Sequence, residues 1–169
     1  MNRICALLSV CLLFLSCNRQ SPQIPSNKST LIDKNSVSLL AINQNLAKKE
    51  DIYLKKFVLG KEKGFRKSEI GFWYKIVPSG NGSKIKESAS CKFTCTVMSL
   101  NGKVLQNDVK QIVLGKKQVV IGLEEGLKLI NKGDSAIFIL PWYLAYGMNG
   151  NEPLIPPYTS LIYRVKVFN

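Results

Sequence analysis

The fold of this chain is decided by residues 115–134, which read GKKQVVIGLEEGLKLINKGD. Leu123, Leu127 and Ile130 recur at the i, i+4, i+7 spacing of one helix face. Two glutamates stand in the first turn, where the helix dipole favours negative charge. Gly133 occupies the position at which a left-handed cap would end a helix. The stretch therefore predicts one short amphipathic helix with defined ends.

The residues that follow this helix predict two strands joined by an apolar loop. Residues 136–140 form a wholly apolar run that ends at Pro141, which is typical of a buried strand. Residues 159–168 alternate as a half-buried strand does, with Leu161, Tyr163, Val165 and Val167 on one face and Arg164 and Lys166 on the other. Between them, residues 142–157 carry aromatic and apolar side chains where turns normally carry polar ones. Such a loop predicts a binding pocket.

Several separated motifs stand in a fixed order and spacing along this part of the chain. They are Gly115-Lys116, Val119-Val120, Gly122-x-Glu124-Glu125-Gly126, Gly133, Leu144-Ala145-Tyr146-Gly147 and Ile155-Pro156-Pro157. Together they resemble the FKBP-type peptidyl-prolyl cis/trans isomerases over about Phe72 to Phe168, a whole domain. The resemblance implies an α+β fold, with an antiparallel sheet wrapped around the short helix, in an isomerase domain at residues 71–169.

The same resemblance implies a set of site residues. Tyr146 would offer its hydroxyl to a substrate carbonyl, and the backbone N–H of Val120 would hold a second carbonyl. The apolar walls around a proline ring would be formed by Val119, Val120, Ile155 and Tyr163, with Leu123 at the pocket floor. The alternative is that these residues only pack the sheet.

Proline isomerisation suits the residue types that this chain contains. The chain has no histidine, which excludes Ser-His and Cys-His nucleophilic catalysis and histidine-bearing metal sites. Isomerisation needs no acid, base, nucleophile or cofactor, because an apolar pocket disfavours the charge-separated resonance form of the X-Pro amide. Glu124 and Glu125 are adjacent on the predicted helix and so diverge, which favours helix-terminus charges over an acid/base pair. No cofactor is expected.

Several positions depart from the usual pocket of the family. Leu123 stands where a tryptophan is usual, Leu105-Gln106 replaces a Phe-Asp pair, Cys95 replaces a tyrosine, and Lys110 aligns near a phenylalanine. Each lost aromatic contact is worth about 0.5–1.5 kcal/mol. Two functions therefore stay open. One is a weakened isomerase that assists the folding of secreted or outer-membrane proteins, and the other is a binding or chaperone module without catalysis.

The first 30 residues predict export and a lipid anchor. The apolar run from Ile4 to Leu15 is too short to span a bilayer and is typical of a signal peptide, assigned to residues 1–16. Leu15-Ser16-Cys17 resembles the lipobox of bacterial lipoproteins, which implies cleavage before Cys17 and lipid on its sulfur. The alternative is a free cysteine after an ordinary signal peptide. Residues 17–30 predict a flexible tether, and the expected location is the cell envelope, facing the periplasm or the outer-membrane surface.

Residues 31–70 predict a helical arm and a polar connector. Near-helical spacing is kept by Leu39, Ile42, Leu46, Tyr53 and Phe57, and Glu50 interrupts this stripe. Two interpretations stay open: the helix packs on its own domain, or it is an arm for dimerisation or partner docking. A lipobox, a helix and then Gly71-Phe72-Trp73-Tyr74 resemble the layout of the gliding-motility-associated lipoprotein isomerases of the Bacteroidetes.

Charge and cysteine usage narrow the expected partners. The chain has 24 Lys and Arg against 11 Asp and Glu, a formal net charge of +13, but its lysines are scattered and export keeps it from nucleic acid. Cys91 and Cys95 would lie about 13 Å apart on one strand, which predicts buried fillers and no disulfide. The expected partners are proline-containing clients, a membrane through the lipid on Cys17 and, in the second interpretation of the arm, another copy of the chain. Nucleic acid is not expected.

Overall fold

The computed structural model describes residues 34–61, 63–79 and 82–168. Within these ranges the elements are α1 (Lys34–Leu59), β1 (Arg66–Lys67), β2 (Trp73–Val77), β3 (Ser90–Ser99), β4 (Val104–Val113), α2 (Ile121–Leu127), β5 (Ser135–Leu140), a 3-10 helix (Trp142–Leu144) and β6 (Leu161–Val167). The chain divides into two compact units, residues 1–41 and 42–169, and α1 begins in the first and ends in the second. The predicted signal peptide, lipid site and tether lie outside the described residues.

The six strands form one antiparallel sheet in the order β1-β2-β5-β6-β3-β4. β6 lies between β5 and β3, with Phe138 and Val97 on either side of Tyr163. The strands predicted at residues 136–140 and 159–168 are confirmed as β5 and β6. The predicted α+β fold is confirmed as well, with α2 on one face of the sheet.

The helix α2 packs closely on the sheet because it contains a residue without a side chain at the contact. A Cβ on Gly126 would lie 2.7 Å from a ring carbon of Phe138, closer than van der Waals contact allows. Leu123 and Leu127 of the same helix therefore reach the main core, where they are 1% and 0% exposed.

The end of α2 differs from the prediction that Gly133 stops the helix. The helix ends at Leu127, and the Asp134 carboxylate accepts the N–H of Asn131 at 3.1 Å in the turn that follows. Asp134 is itself buried. A turn held by this carboxylate replaces the last helical residues that the sequence predicted, and Gly133, with φ of 83°, belongs to that turn.

The C-terminal part of α1 covers the other face of the sheet. Leu54 and Val58 are 0% and 6% exposed and form a second core cluster with Ile139 of β5 and Ile162 of β6. This contact explains why the predicted alternation of β6 is incomplete: Ile162 is buried although it faces away from the main core. The interpretation of a helix packed on its own domain therefore holds for this part of α1.

The buried face of α1 is rotated from the predicted stripe. Four of the five stripe residues are exposed, with Leu39 at 60%, Ile42 at 50%, Leu46 at 37% and Tyr53 at 53%. Glu50, which interrupts the predicted apolar stripe, lies on the face that contacts the domain. The predicted start of the isomerase domain at residue 71 thus divides α1 from Ile139 and Ile162, the sheet residues on which it packs.

The two cysteines of β3 agree with their interpretation. Cys91 and Cys95 are both buried on the core face of the strand, and both thiols are free. They fill the core as small apolar side chains.

Candidate functional site

A cavity of about 310 Å³ opens where the start of α2, the loop after β5 and the strands β3, β4 and β6 meet. It is lined by Val97, Lys110, Lys117, Gln118, Val119, Val120, Leu123, Tyr146 and Tyr163. Of the six residues predicted for the site, five lie around this cavity. The sixth, Ile155, does not line it, because its side chain is 1% exposed and packs in the main core. We call the group formed by Val119, Val120, Leu123, Tyr146 and Tyr163 the back wall.

Tyr146 is held by the backbone of the loop after β5. The carbonyl of Trp142 accepts the N–H of Ala145 at 3.1 Å and that of Gly147 at 2.9 Å. Gly147 takes φ of 68°, a conformation that favours glycine, and its carbonyl accepts the N–H of Tyr158 at 3.1 Å. The backbone is therefore fixed on both sides of Tyr146, whose half-buried ring reaches the cavity.

Tyr163 places a second phenol in the back wall. Its hydroxyl is buried and has no hydrogen-bond partner within the described residues. Burial raises the pKa of Tyr163 well above its ordinary value, and the neighbouring Tyr146 and Cys95 raise it further. The phenol therefore stays protonated next to the Tyr146 ring.

Val120 lines the cavity directly before the start of α2. Its carbonyl accepts the N–H groups of Leu123 and Glu124, each at 3.0 Å. Its own N–H has no acceptor among the residues that the structure describes. A backbone N–H without an acceptor among the described residues thus lies at the cavity.

Glu124 anchors the loop in front of α2. The residue is 5% exposed, and its carboxylate accepts the N–H of Gly115 at 2.6 Å and that of Lys117 at 3.3 Å. Glu125 instead contacts Lys128 at 2.7 Å on the surface of the helix. The two carboxylates have separate partners, which agrees with structural charges and not with an acid/base pair.

The opposite side of the cavity is polar. Gln106, Asp108 and Lys110 of β4 lie across from Val97, Cys95 and Phe93 of β3, on the face that points inward, and we call these three the β4 row. Gln106 donates a hydrogen bond to Asp108 at 2.5 Å, and Lys110 reaches the cavity. Burial raises the pKa of Cys95 to about 11, while Lys110 opposes and Asp108 supports that rise. Leu105 lies half-buried against the main core.

The family of this chain follows from comparison with known proteins. A family model described as FKBP-type peptidyl-prolyl cis-trans isomerase matches residues 81–168, more than half of the chain. The chain belongs to this FKBP family. Among curated FKBP proteins, a probable FKBP-type isomerase of Haemophilus influenzae is 29% identical over 149 residues, covering 86% of this chain and 61% of that protein. The isomerase FkpA of Escherichia coli is 33% identical over 120 residues, 69% of this chain and 43% of FkpA.

A solved FKBP structure agrees with the sequence match. The crystal structure of FkpA from Escherichia coli aligns with a TM-score of 0.62 and 30% identity, covering 80% of this chain and 65% of that one. The chain spans 43% and 61% of the length of the two curated relatives. Membership of the FKBP family thus concerns the shared domain.

Sequence reasoning missed Val97, Lys117 and Gln118 at the FKBP cavity. Lys117 and Gln118 follow the Gly115-Lys116 turn and read as exposed turn residues. Lys117 adopts a positive φ of 52°, and the Gln118 side chain accepts the N–H of Val113 at 2.7 Å. The one available sequence signal was their position directly before Val119, inside the motif series.

Proposed function

We propose that this chain is a peptidyl-prolyl cis-trans isomerase whose active site is the cavity behind Tyr146. The observation that carries this proposal is the back wall, which joins a phenol and an unpaired backbone N–H to an apolar surface in one concave site. An apolar surface takes the proline ring, and donors take the carbonyl oxygens on either side of it.

The mechanism needs only binding and orientation. The barrier of about 18–20 kcal/mol comes from the partial double bond of the amide. Leu123, Val119 and the ring of Tyr163 remove water from the X-Pro bond, which disfavours the charge-separated form of the ground state. The Tyr146 hydroxyl and the Val120 N–H then donate to carbonyl oxygens in the twisted geometry, so they bind the transition state more tightly than the planar amide.

A binding module without catalysis is the second candidate. It is favoured by the β4 row, because Lys110 brings an ammonium group to the cavity and Asp108 lies on the same strand face. A charged rim reduces the apolar area that can grip a proline ring. The back wall would then bind a proline-containing segment without catalysing its cis-trans isomerisation.

The rate of cis-trans isomerisation in short X-Pro peptides separates the two candidates. We expect measurable kcat/KM for the purified chain, a roughly two- to ten-fold loss in Tyr146→Phe, and a gain in Leu123→Trp together with tighter macrolide binding. Tyr146→Phe removes one hydroxyl and little volume, so its unfolding transition serves as the control for folding. A wild-type rate equal to that of buffer would refute catalysis and leave the binding module as the remaining candidate. Unchanged activity in Tyr146→Phe would refute our placement of the site.

We further propose that the chain is exported and anchored to a membrane through lipid on Cys17, where it assists slow X-Pro isomerisation in folding envelope proteins. The Leu15-Ser16-Cys17 motif supports the anchor, and the Gly71-Phe72-Trp73-Tyr74 layout supports a role in gliding motility. None of the helices within the described residues combines the length and hydropathy needed to cross a bilayer. Fatty-acid labelling should mark the wild type but not Cys17→Ser, and loss of gliding on deletion of the gene should be restored by wild type only.

Self-association through α1 is proposed from its exposed apolar row. Ile42, Leu46 and Tyr53 are 50%, 37% and 53% exposed on one side of the helix. Covering this row in a dimer would remove apolar surface from water. Sedimentation should show a dimer that Leu46→Lys dissociates and the control Gln44→Lys, at an exposed position on the opposite side of α1, does not. A monomeric wild type would refute the proposal.

A further inference from the structure

Two carboxylates of α1 contact the segments that flank the Tyr146 loop. Glu50 Oε1 accepts a hydrogen bond from Ser160 Oγ at 2.5 Å, and Asp51 Oδ1 accepts one from the Tyr143 hydroxyl at 2.6 Å. All these residues belong to the second compact unit. The sequence gives no reason to place acids here, on the face of a helix that packs on a sheet. Their contacts supply one.

Ser160 links Glu50 to the loop backbone through hydrogen bonds to both. Its Oγ accepts the N–H of Trp142 at 2.9 Å, and the residue is 6% exposed. The carbonyl of Trp142 in turn accepts the N–H groups of Ala145 and Gly147. These are the two neighbours of Tyr146 in the chain. A continuous series of hydrogen bonds therefore runs from α1 to the backbone on both sides of the phenol.

The Glu50 carboxylate decides how the Ser160 hydroxyl is oriented. A serine hydroxyl has one hydrogen to donate and two lone pairs to accept with. Glu50 takes the hydrogen in a charge-assisted bond, which leaves a lone pair of Oγ for the Trp142 N–H. Because Ser160 and Trp142 are both buried, water does not readily replace a lost partner.

Asp51 gives the loop a second support. Its carboxylate accepts from Tyr143, and Lys67 Nζ lies 3.6 Å from the other carboxylate oxygen. Burial raises the pKa of Tyr143 and the hydrogen bond to Asp51 raises it further, so the phenol remains a donor. α1 thus contacts the 3-10 helix at two consecutive residues, Trp142 through Ser160 and Tyr143 directly.

We propose that Glu50 is a positioning residue for isomerisation: through Ser160 and Trp142 it fixes the placement of the Tyr146 hydroxyl. α1 then supports the reaction as well as covering the sheet. The effect on rate rests on the proposed function, whereas the effect on the loop does not. A misplacement of about 1 Å in a reacting group can lower a rate as much as 100-fold, so a partial loosening should be measurable.

The kinetic test compares Glu50→Leu, Glu50→Gln and Ser160→Ala with wild type in the full chain. We expect Glu50→Leu and Ser160→Ala to lower kcat by at most the roughly two- to ten-fold loss that Tyr146→Phe causes, with little change in KM, because the apolar walls stay in place. Glu50→Gln keeps an acceptor oxygen and should restore most of kcat. In a Tyr146→Phe background, neither Glu50→Leu nor Ser160→Ala should lower kcat further, because the hydroxyl that they position is absent.

Leu54→Val is the matched control, since it loosens the packing of α1 on the sheet but leaves the hydrogen bonds in place. It should leave kcat unchanged when its loss of thermal stability equals that of Ser160→Ala. An equal loss of kcat in Leu54→Val, or full additivity with Tyr146→Phe, would overturn the proposal.

Amide hydrogen exchange measured by NMR tests the same link without any catalysis. Exchange at Ala145 and Gly147 should be at least ten-fold faster in Glu50→Leu and Ser160→Ala than in wild type, and near wild type in Glu50→Gln. If the wild type has no isomerase activity, the proposed function fails while this measurement still decides the positioning. Unchanged exchange in both variants would refute the role of Glu50.

Discussion

The two sides of the cavity differ in how they are joined to the rest of the protein. In the back wall, Leu123 and Tyr163 are 1% and 2% exposed, so these side chains line the cavity and also fill the core. The β4 row belongs to an edge strand of the sheet, where Asp108 is exposed and Lys110 is half-buried. Folding therefore constrains the back wall directly. The β4 row can change its chemistry with little effect on the core. Gln106 and Lys110, two of the departures from the usual pocket of the family, lie in this row, whereas Leu123 is a departure within the back wall.

The largest expected effect is a difference in stability between two side chains that line the same cavity. Leu123→Ala should lower the free energy of unfolding by about 2–5 kcal/mol, because it removes a fully buried side chain and leaves a void. Lys110→Ala should change it by no more than about 0.5 kcal/mol, since its side chain is half-exposed and belongs to no core cluster. Urea unfolding of the two variants and wild type measures both. Comparable losses of unfolding free energy in the two variants would show that both sides of the cavity contribute equally to the stability of the core.

The second expected effect concerns Cys95, which lies opposite Asp108 and behind the β4 row. Folding raises the pKa of its thiol from 9.0 to about 11, chiefly through burial. At pH 8 the folded protein should hold roughly 100-fold less Cys95 thiolate than the unfolded chain does. Alkylation in a Cys91→Ala variant, compared with and without denaturant, reports this difference. Nearly equal rates at pH 8 would contradict the assigned burial.

The stability of the folded protein should fall at high pH, because folding favours the neutral thiol of Cys95. Folding favours the protonated form of Cys95, so its contribution to stability is complete below the unfolded pKa of 9.0 and is lost as the pH rises through about 11. Lys110 opposes the shift by favouring the thiolate. Lys110→Ala should therefore slow alkylation of Cys95 further. That result would show that a residue of the β4 row affects the pKa of the Cys95 thiol.

The back wall could be predicted from the sequence because its residues lie in motifs that also decide the fold. Val119, Val120 and Leu123 lead into a helix that the apolar spacing predicts, and Tyr163 lies on the buried face of an alternating strand. Ile155 is predicted as a wall residue and is buried in the main core. A motif gives the order of residues along the chain but not which of them the core covers. Lys117 reached the cavity through a positive φ that a turn-like sequence does not reveal.

The buried face of α1 could not be predicted from apolar spacing. Leu54 and Val58 alone are too few to outweigh the longer row that includes Ile42 and Leu46. This face also makes polar contacts, and the residue that interrupts the apolar stripe, Glu50, has its partner 110 positions away at Ser160. A single sequence shows no such long-range hydrogen bond, so the helix was predicted while its orientation was not.

The smallest expected effect tests whether the polar side of the cavity selects substrates. Lys110 and Lys117 line the cavity, and its lining contains no carboxylate. The carboxylates nearby are engaged elsewhere, Glu124 by the loop backbone and Asp108 by Gln106. A peptide with glutamate next to proline should therefore gain from contact with one or both ammonium groups, and a peptide with lysine there should lose. Two unit charges about 4 Å apart in water interact by about 1 kcal/mol, so a preference of roughly five-fold in kcat/KM is expected.

Peptides with Glu, Leu or Lys immediately before proline, and a second set with these residues immediately after it, measure that preference. In Lys110→Gln with Lys117→Gln, the ratio of kcat/KM for Glu peptides to that for Lys peptides should fall to about one, while Leu peptides react as well as before or better. Lys56→Gln lowers the net charge from an exposed position on α1 and should leave the ratio near that of wild type. In 1 M salt, where the screening length is about 3 Å, the wild-type ratio should shrink as well. If neither salt nor the double variant alters the ratio of kcat/KM for Glu peptides to that for Lys peptides, the two lysines do not contribute to substrate selection.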